Sequence, residues 1–345
     1  MVINKTNIKM VKITIAIAVY NVEKYIEKCI DSVLNQDFTD YEVLVVDDRG
    51  KDNSISLVEQ MAKSHLNGDK IRIFQHEKNL GTGGVRNTCI GEAKGEYLFF
   101  MDGDDYLAPN SIRLLYETMV ENNADIVMGN FQKVFPDGSI ESTSNFRPGK
   151  CVSDYAIAQW MSNNKTNCFP APTWNKLFKI SFLRENGIRC VSWHRNEDIF
   201  FTLQTAFATK SIITIPEVTY FWVQVPGSCM HQDITEWYLN QYLDIFDHSM
   251  TLINKKEKEK QGKFPKELYW IITQRYLYGF VSRNVWNSSL LSNRQKNDYL
   301  KHIREITDHI KCKDEYYWKQ KLFYLVIKMP CPYYLIKALG LFIKI

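Results

Sequence analysis

Glu96-Tyr97-Leu98-Phe99-Phe100-Met101-Asp102-Gly103-Asp104-Asp105 is an aromatic and aliphatic run that ends on three carboxylates and a glycine. A continuous apolar run bounded by turn residues fits a parallel strand covered on both faces. Ending it in Asp-Gly-Asp-Asp places negative charge at the carboxyl edge of a sheet, where open α/β folds hold their ligands. Clustered carboxylates repel one another, and a divalent cation with oxygen ligands relieves that repulsion. An isolated acidic turn would say little, so its neighbours decide its meaning.

Upstream, Ile13–Val19 is a β-type run ending at Tyr20-Asn21, and Tyr41–Val46 is a buried strand ending in Asp47-Asp48. Between them Val22, Tyr25, Ile26, Cys29, Ile30, Val33 and Leu34 fall on one helical face. Asn53 or Ser54 is placed to cap a helix through Leu57, Val58 and Met61. Ile71–Phe74 is a short strand, Asn79–Gly84 a flexible turn, and Val85–Ala93 a helix. Strands alternating with helices in this way predict a doubly wound, mostly parallel sheet. Downstream, the spacing predicts a helix through Leu114 and Met119, a strand over Asp125–Gly129, an irregular 131–170, helices over Trp174–Phe182 and Asp198–Ala208, and one or two strands in Ile212–Val225. Beyond Thr235 the pattern is helical, with Lys255–Lys260 as a solvated linker or face. The apolar tail 322–345, dotted with lysines and broken by two prolines, suits either a membrane-surface segment or a helix packed on its own domain.

At 345 residues and 45% hydrophobic the chain is long enough for a sizeable core, and a net charge of +4 gives no reason to expect a nucleic-acid partner. Eight scattered cysteines show no metal-ligand spacing and suit reduced thiols in a cytoplasmic setting. The polar, lysine-bearing Met1–Lys12 does not read as a signal peptide, Met10 is a second candidate start, and no stretch reads as a membrane span.

Two strand ends therefore carry acids, and between them lies Asn79-Leu-Gly-Thr-Gly-Gly-Val-Arg86-Asn87. Its glycines allow close backbone approach, a helix start favours anions, and an arginine offers forked donors to phosphate oxygens. Acid pair, acidic turn and arginine in series point to a metal-bridged nucleotide diphosphate.

The segments Ala16–Asn21, Val45–Asp48, Asn79–Asn87 and Gly95–Asp105, followed by Trp174-Asn-Lys-Leu-Phe178 and Asn196-Glu-Asp-Ile-Phe-Phe201, resemble family-2 glycosyltransferases of the GT-A fold, over roughly residues 12 to 230. The resemblance implies a GT-A domain over 12–234, with a nucleotide-binding half (12–130) and an acceptor half (131–234). An extension (1–11) would precede it and a helical region (235–345) follow it. It implies that Tyr20 lies against the base, that Asp48 accepts a base N–H and favours uridine, and that Ala18, Trp174 and Glu197 line the donor site. Arg86 would reach the diphosphate or sugar. Asp102, Asp104, Asp105 and His231 would hold Mn²⁺ or Mg²⁺, with Asp104 also placed to touch the ribose. Asp198 would be the catalytic base of an inverting displacement, a role open to a carboxylate of ordinary pKa, about 4. The acceptor would be a glycan or lipid-linked glycan in cell-surface polysaccharide synthesis, at the cytoplasmic membrane face. Two departures stand out: Arg49-Gly50-Lys51 replaces the family's Gly-Ser after the paired acids, and Ala18 replaces its usual proline. The rival readings are a catalytically silent nucleotide-sugar-binding scaffold and, for Asp47-Asp48 alone, a phosphoacceptor receiver domain.

Overall fold

The computed structural model describes residues 11–142, 148–163, 172–192, 197–226, 235–259, 285 and 291–307. They fall into two compact units: one of residues 1–157, 166–193 and 197–231, the other of 158–165, 194–196 and 232–345.

The first unit is built on a ten-stranded mixed sheet. Its strands are β1 (Ile13–Val19), β2 (Tyr41–Asp47), β3 (Ile71–Gln75), β4 (Tyr97–Asp102), β5 (Tyr106–Leu107), β6 (Ile126–Val134), β7 (Ile140–Ser142), β8 (Gly149–Val152), β9 (Lys176–Lys179) and β10 (Ser211–Val223). The order is β3-β2-β1-β4-β9-β6-β10-β5, with β7 on β6 and β8 on β10. The first four strands are mutually parallel, as is the β6–β10 pair, and β9 joins the two groups antiparallel to β4 and β6. The helices of this unit are α1 (Ile26–Leu34), α2 (Ser54–Ser64), α3 (Gly81–Glu92), α4 (Ser111–Asn122), α6 (Ile180–Glu185) and α7 (Glu197–Ala208), while α5 (Ala156–Asn163) belongs to the second unit from Ala158 onward.

The continuous apolar strands behave as their composition dictates. All of β2 and nearly all of β1 and β4 are buried, because helices cover both faces of a parallel sheet. The polar residues among them are satisfied internally: Thr14 Oγ1 donates to Glu42 (2.7 Å) and accepts from the Gly95 N–H (2.9 Å). The buried face of α1 is Ile26, Cys29, Ile30, Val33 and Leu34, as its periodicity requires.

Three local expectations are corrected. Trp174–Phe182 is not one helix, because Asn175 adopts φ +58°, a left-handed conformation that breaks it. Its side-chain amide donates to the Gly129 and Asn130 carbonyls (2.9 and 3.2 Å), and the chain then enters the sheet as β9 before turning into α6. Residues 131–170 are more regular than expected: β6 runs on to Val134, and β7, β8 and α5 follow. At the start of α2, neither Asn53 nor Ser54 caps through its side chain; Asp52 accepts from both the N–H and the hydroxyl of Ser54 (3.1 and 2.6 Å).

The second unit contains α8 (Glu236–Glu259) and α9 (Asn293–Thr307), joined by a hydrogen bond from the Tyr299 hydroxyl to Asn240 (3.0 Å). Leu239, Ile245, Met250 and Ile253 form the buried stripe of α8. Lys255, Lys256 and Lys258 lie in its last turns, where cations favour the helix dipole, rather than in a linker. Among the described residues no helix is long and apolar enough to cross a membrane. The tail 322–345, Met10 and His231 lie outside the described residues.

A methyl group at Gly129 would press against the Thr219 side chain on the adjoining strand. That side chain cannot swing away freely, since its hydroxyl donates to Asn175 Oδ1 (2.6 Å). We expect Gly129→Ala to destabilise the protein by about 1–3 kcal/mol, as overpacked interiors do, read as a lowered urea-denaturation midpoint.

Candidate active site

Strand register brings the acids together. Val19 pairs with Asp47 on one side of β1, and Ala18 pairs with Asp102 on the other. Beyond the strand ends the Asp48 N–H donates to the Val19 carbonyl and the Gly103 N–H to the Ala18 carbonyl (both 3.0 Å). Ala18 therefore sits between the two acidic turns, and Tyr20, the next side chain but one, is 49% exposed at their rim.

Asp48 is not a free acid. It is 2% exposed, and its carboxylate accepts from the Leu80 and Gly81 N–H groups (2.7 and 2.9 Å) and pairs with His76 Nδ1 (2.7 Å). These bonds wind the glycine loop into helix from Gly81, four residues earlier than the sequence pattern suggests. His76 Nε2 in turn meets the Thr88 hydroxyl (2.8 Å). Arg49 stands at φ +63° where the family usually has glycine, and its Nε donates to the His76 carbonyl.

The turn after β4 holds its three acids in three different ways. Asp102 is partly exposed and receives a hydrogen bond from Arg86 Nη2. Arg86 is 1% exposed, packed over the Phe100 ring (5.2 Å), with Nη1 on the Met101 carbonyl (3.3 Å) and Nε buried without a partner. Burial opposes its charge, but the Asp102 carboxylate more than offsets this and keeps the guanidinium protonated. The arginine thus acts on Asp102 from behind.

Asp105, also 1% exposed, accepts from the Tyr220 hydroxyl (2.6 Å) and the Val223 N–H (2.8 Å), which ties the turn to β10. Burial, and then the charges of Asp104 and Asp102, push its carboxyl well above the usual range. The Tyr220 hydroxyl also accepts the Asp102 N–H (3.2 Å), and its ring stacks on Trp174 (4.9 Å between centroids). Trp174 is accordingly buried in an aromatic cluster with Phe131 and Trp222. Asp104 is pushed up to about 7, by burial and by the Asp102 charge.

Among the described residues no three His, Cys, Asp or Glu side chains converge as a ligand set. Asp104, strained by its neighbour's charge, and the partly exposed Asp102 nonetheless fit a small divalent cation whose other oxygens come from a ligand.

The second cluster begins α7. Asn87, next to Arg86, clamps the backbone of Cys190, donating to its carbonyl and accepting its N–H (both 2.9 Å). Gly83 allows this approach, because a Cβ there would strike the Val191 carbonyl. A few residues on, Glu197 and Asp198 open α7. Glu197 is pushed up to about 8, first by burial and then by the Asp198 charge. Asp198 is also raised by burial, against the opposing pull of Lys176, the Ile199 N–H and Arg86. Burial thus raises both carboxyls, and Lys176 is first among the groups that oppose the rise at Asp198. Tyr220 and His76 had no distinguishing signal in the sequence; each acts on a partner from a distant stretch of chain.

A parallel β3-β2-β1-β4 sheet with acids at its carboxyl edge, extended through an antiparallel β9 to β6 and β10, is the GT-A architecture. Residues 14–184 match "Glycosyl transferase family 2", and the chain belongs to that family. It is 31% identical over 217 residues to the poly(ribitol-phosphate) β-glucosyltransferase of Bacillus spizizenii, covering 61% of this chain and 32% of that protein. It is 25% identical over 250 residues to glycosyltransferase GlyG of Streptococcus pneumoniae, covering 69% of this chain and 79% of that one. The chain thus spans about a third of the first relative and most of the second. Among solved structures, TarS 1–349 of S. aureus in complex with UDP-GlcNAc superposes with a TM-score of 0.69 at 17% identity, over 96% of this chain and 93% of that one. The mannosyltransferase PcManGT of Pyrobaculum calidifontis, in complex with GDP-Man and Mn²⁺, does so at 0.50 and 16% identity, over 96% and 88%.

Tyr220→Phe removes a hydroxyl that serves two buried groups, and we expect it to cost about 1–3 kcal/mol in urea denaturation. Glu197 gives a pH signature. A carboxyl raised from 4.5 to about 8 on folding favours the protonated form. Its contribution to stability is full below the unfolded value and is lost as pH climbs toward 8. Glu197→Gln, permanently neutral, is therefore expected to melt above wild type at pH 8, with the gap closing toward pH 5.

Proposed function

We propose that this chain transfers a hexose from a UDP-sugar to a hydroxyl of a glycan or polyol-phosphate polymer, with inversion at the anomeric carbon. The observation that carries this reading is the pair of adjacent buried carboxyls, Glu197 and Asp198, at the head of α7. Inverting transfer needs one ionised base beside an acceptor hydroxyl, and Asp198 is that base. The names of the relatives support a polymer acceptor and a hexosyl group, and the complexes of fold relatives support a nucleotide-sugar donor.

In this reading Asp198 takes the proton of the acceptor hydroxyl as oxygen attacks the sugar. Glu197, neutral, is left able to donate a hydrogen bond toward the donor. At the other cluster the exposed Tyr20 ring lies against the base, and Ala18 leaves room between the acidic turns. With both oxygens of Asp48 committed to the glycine loop and His76, its part is to shape that loop. Arg86 orients Asp102, and Tyr220 with Asp105 anchors the turn. Asp104 and Asp102 would hold Mn²⁺ or Mg²⁺, which would supply positive charge to offset that of the departing diphosphate. Trp174 packs beneath the turn on Tyr220.

Asp198→Asn tests the assignment. We expect UDP release from UDP-glucose or UDP-GlcNAc in the presence of Mn²⁺ and polymer acceptor to fall by about 10²–10⁴-fold. Calorimetric affinity for the UDP-sugar should persist. Undiminished turnover would overturn the role of Asp198, and failure of the folded protein to bind a UDP-sugar would overturn the donor class.

A further inference from the structure

After α6, residues 188–191 run as a strap outside the strands of the sheet. Their exposure alternates, with Ile188 and Cys190 buried and Arg189 exposed, as it does in extended chain. In such a chain the N–H and C=O of one residue point to the same side, and those of the next residue to the opposite side. Both sides of this strap are taken.

On one side lies Asn87 of α3. Its carboxamide donates to the Cys190 carbonyl and accepts the Cys190 N–H (both 2.9 Å). On the other lies Gln204 of α7, which donates to the Arg189 carbonyl (2.6 Å) and accepts the Arg189 N–H (3.3 Å). Each carboxamide thus reproduces the two-way exchange of an antiparallel strand pair. Gln204 Nε2 also donates to the Phe200 carbonyl of its own helix (3.2 Å), which holds the side chain in this pose. The approach to α3 is close, because Gly83 has no Cβ to strike the Val191 carbonyl. At the other end of α3, Arg184 of α6 donates to the Ile90 and Ala93 carbonyls (both 2.8 Å).

The two helices joined in this way carry the two halves of the site. Asn87 follows Arg86, which is bonded to Asp102, and Gln204 shares α7 with Asp198. Phe201 of α7 also packs on Phe100 of β4 (6.1 Å between centroids). Apolar contact is non-directional and tolerates sliding, whereas paired amides fix distance and angle.

We propose that Asn87 and Gln204 are positioning residues for the transfer reaction: through the 188–191 strap they register the helix that presents the base against the helix that backs the acidic turn. This role rests on Asp198 being the base and deepens that assignment. Neither side chain touches the reacting atoms. Their effect is on alignment, where an error of about 1 Å costs about 100-fold in rate.

The test compares Gln204→Leu, Asn87→Ala and the double variant with wild type. Three quantities are read: kcat for transfer from UDP-glucose or UDP-GlcNAc to poly(ribitol phosphate) with Mn²⁺, calorimetric Kd for the UDP-sugar, and the urea midpoint. Each single variant should lose about 10–100-fold in kcat with Kd unchanged. The double variant should lose little more than either single one, as residues that act as a unit do. Gln204→Glu, which still accepts the Arg189 N–H, should retain more activity than Gln204→Leu. Gln204 is half-buried, so its variants carry the test should Asn87→Ala not fold. A lowered urea midpoint with kcat intact would show a merely structural strap and overturn the proposal. Losses that multiply in the double variant, or a Kd that weakens in step with kcat, would overturn it as well. Turnover that survives Asp198→Asn is instead a failure of the base assignment. Collapse in Asp198→Asn with undiminished kcat in Gln204→Leu is a failure of the strap proposal alone.

Discussion

A buried carboxylate held by a tyrosine hydroxyl organises this protein. Asp105 accepts from the Tyr220 hydroxyl and the Val223 N–H, and through them the acidic turn of β4 is fastened to β10. The same hydroxyl accepts the Asp102 N–H, so one side chain sets both ends of the turn. Because Asp105 is spent on this anchor, Asp104 and Asp102 are the acids left to face a ligand. Trp174 completes the arrangement by stacking under the Tyr220 ring. The three aspartates look equivalent in sequence, yet anchoring, pairing with arginine and burial beside a like charge give them different chemistry.

The second principle is the placement of buried cations. Arg86 stands behind Asp102, and Lys176 is buried on β9. Neither is exposed to solvent, so their charges act at low effective dielectric and are little screened by salt. Phe100, Phe178 and Phe201 pack edge to face on one another, joining β4, β9 and α7. Burial raises both of the adjacent carboxyls at the head of α7, Glu197 and Asp198.

The legible parts of the chain were those fixed by local pattern. The runs Ile13–Val19, Tyr41–Val46 and Tyr97–Met101 can only be strands covered on both sides, and each announces its end with polar residues. The stretch 174–182 was misread because its apolar spacing suits a short helix as well as a strand. Asn175 settles the matter through contacts with Gly129, Asn130 and Thr219, residues some 45 positions away in either direction. The bonds that hold Asp48 were not legible, since its partners Leu80 and Gly81 belong to a loop whose conformation the sequence leaves open. The head of α7 is marked by its motif, but Arg86, which acts on both of its carboxyls, comes from α3, far earlier in the chain.

The strand order also dictates when the site comes into being during synthesis. β3, β2, β1 and β4 are complete once Asp102 has been made, but β4 is then an edge strand, and an unpaired edge invites pairing with other chains. Its partner β9 arrives more than seventy residues later, and the hydroxyl that secures Asp105 is 115 residues downstream of it. At about 5–20 residues per second on the ribosome, the nascent sheet waits several seconds with one flank open and its acidic turn unanchored. The acids thus reach their final geometry only after β10 has docked, so a nascent or truncated chain ending before Tyr220 would carry every residue of the turn without its working arrangement.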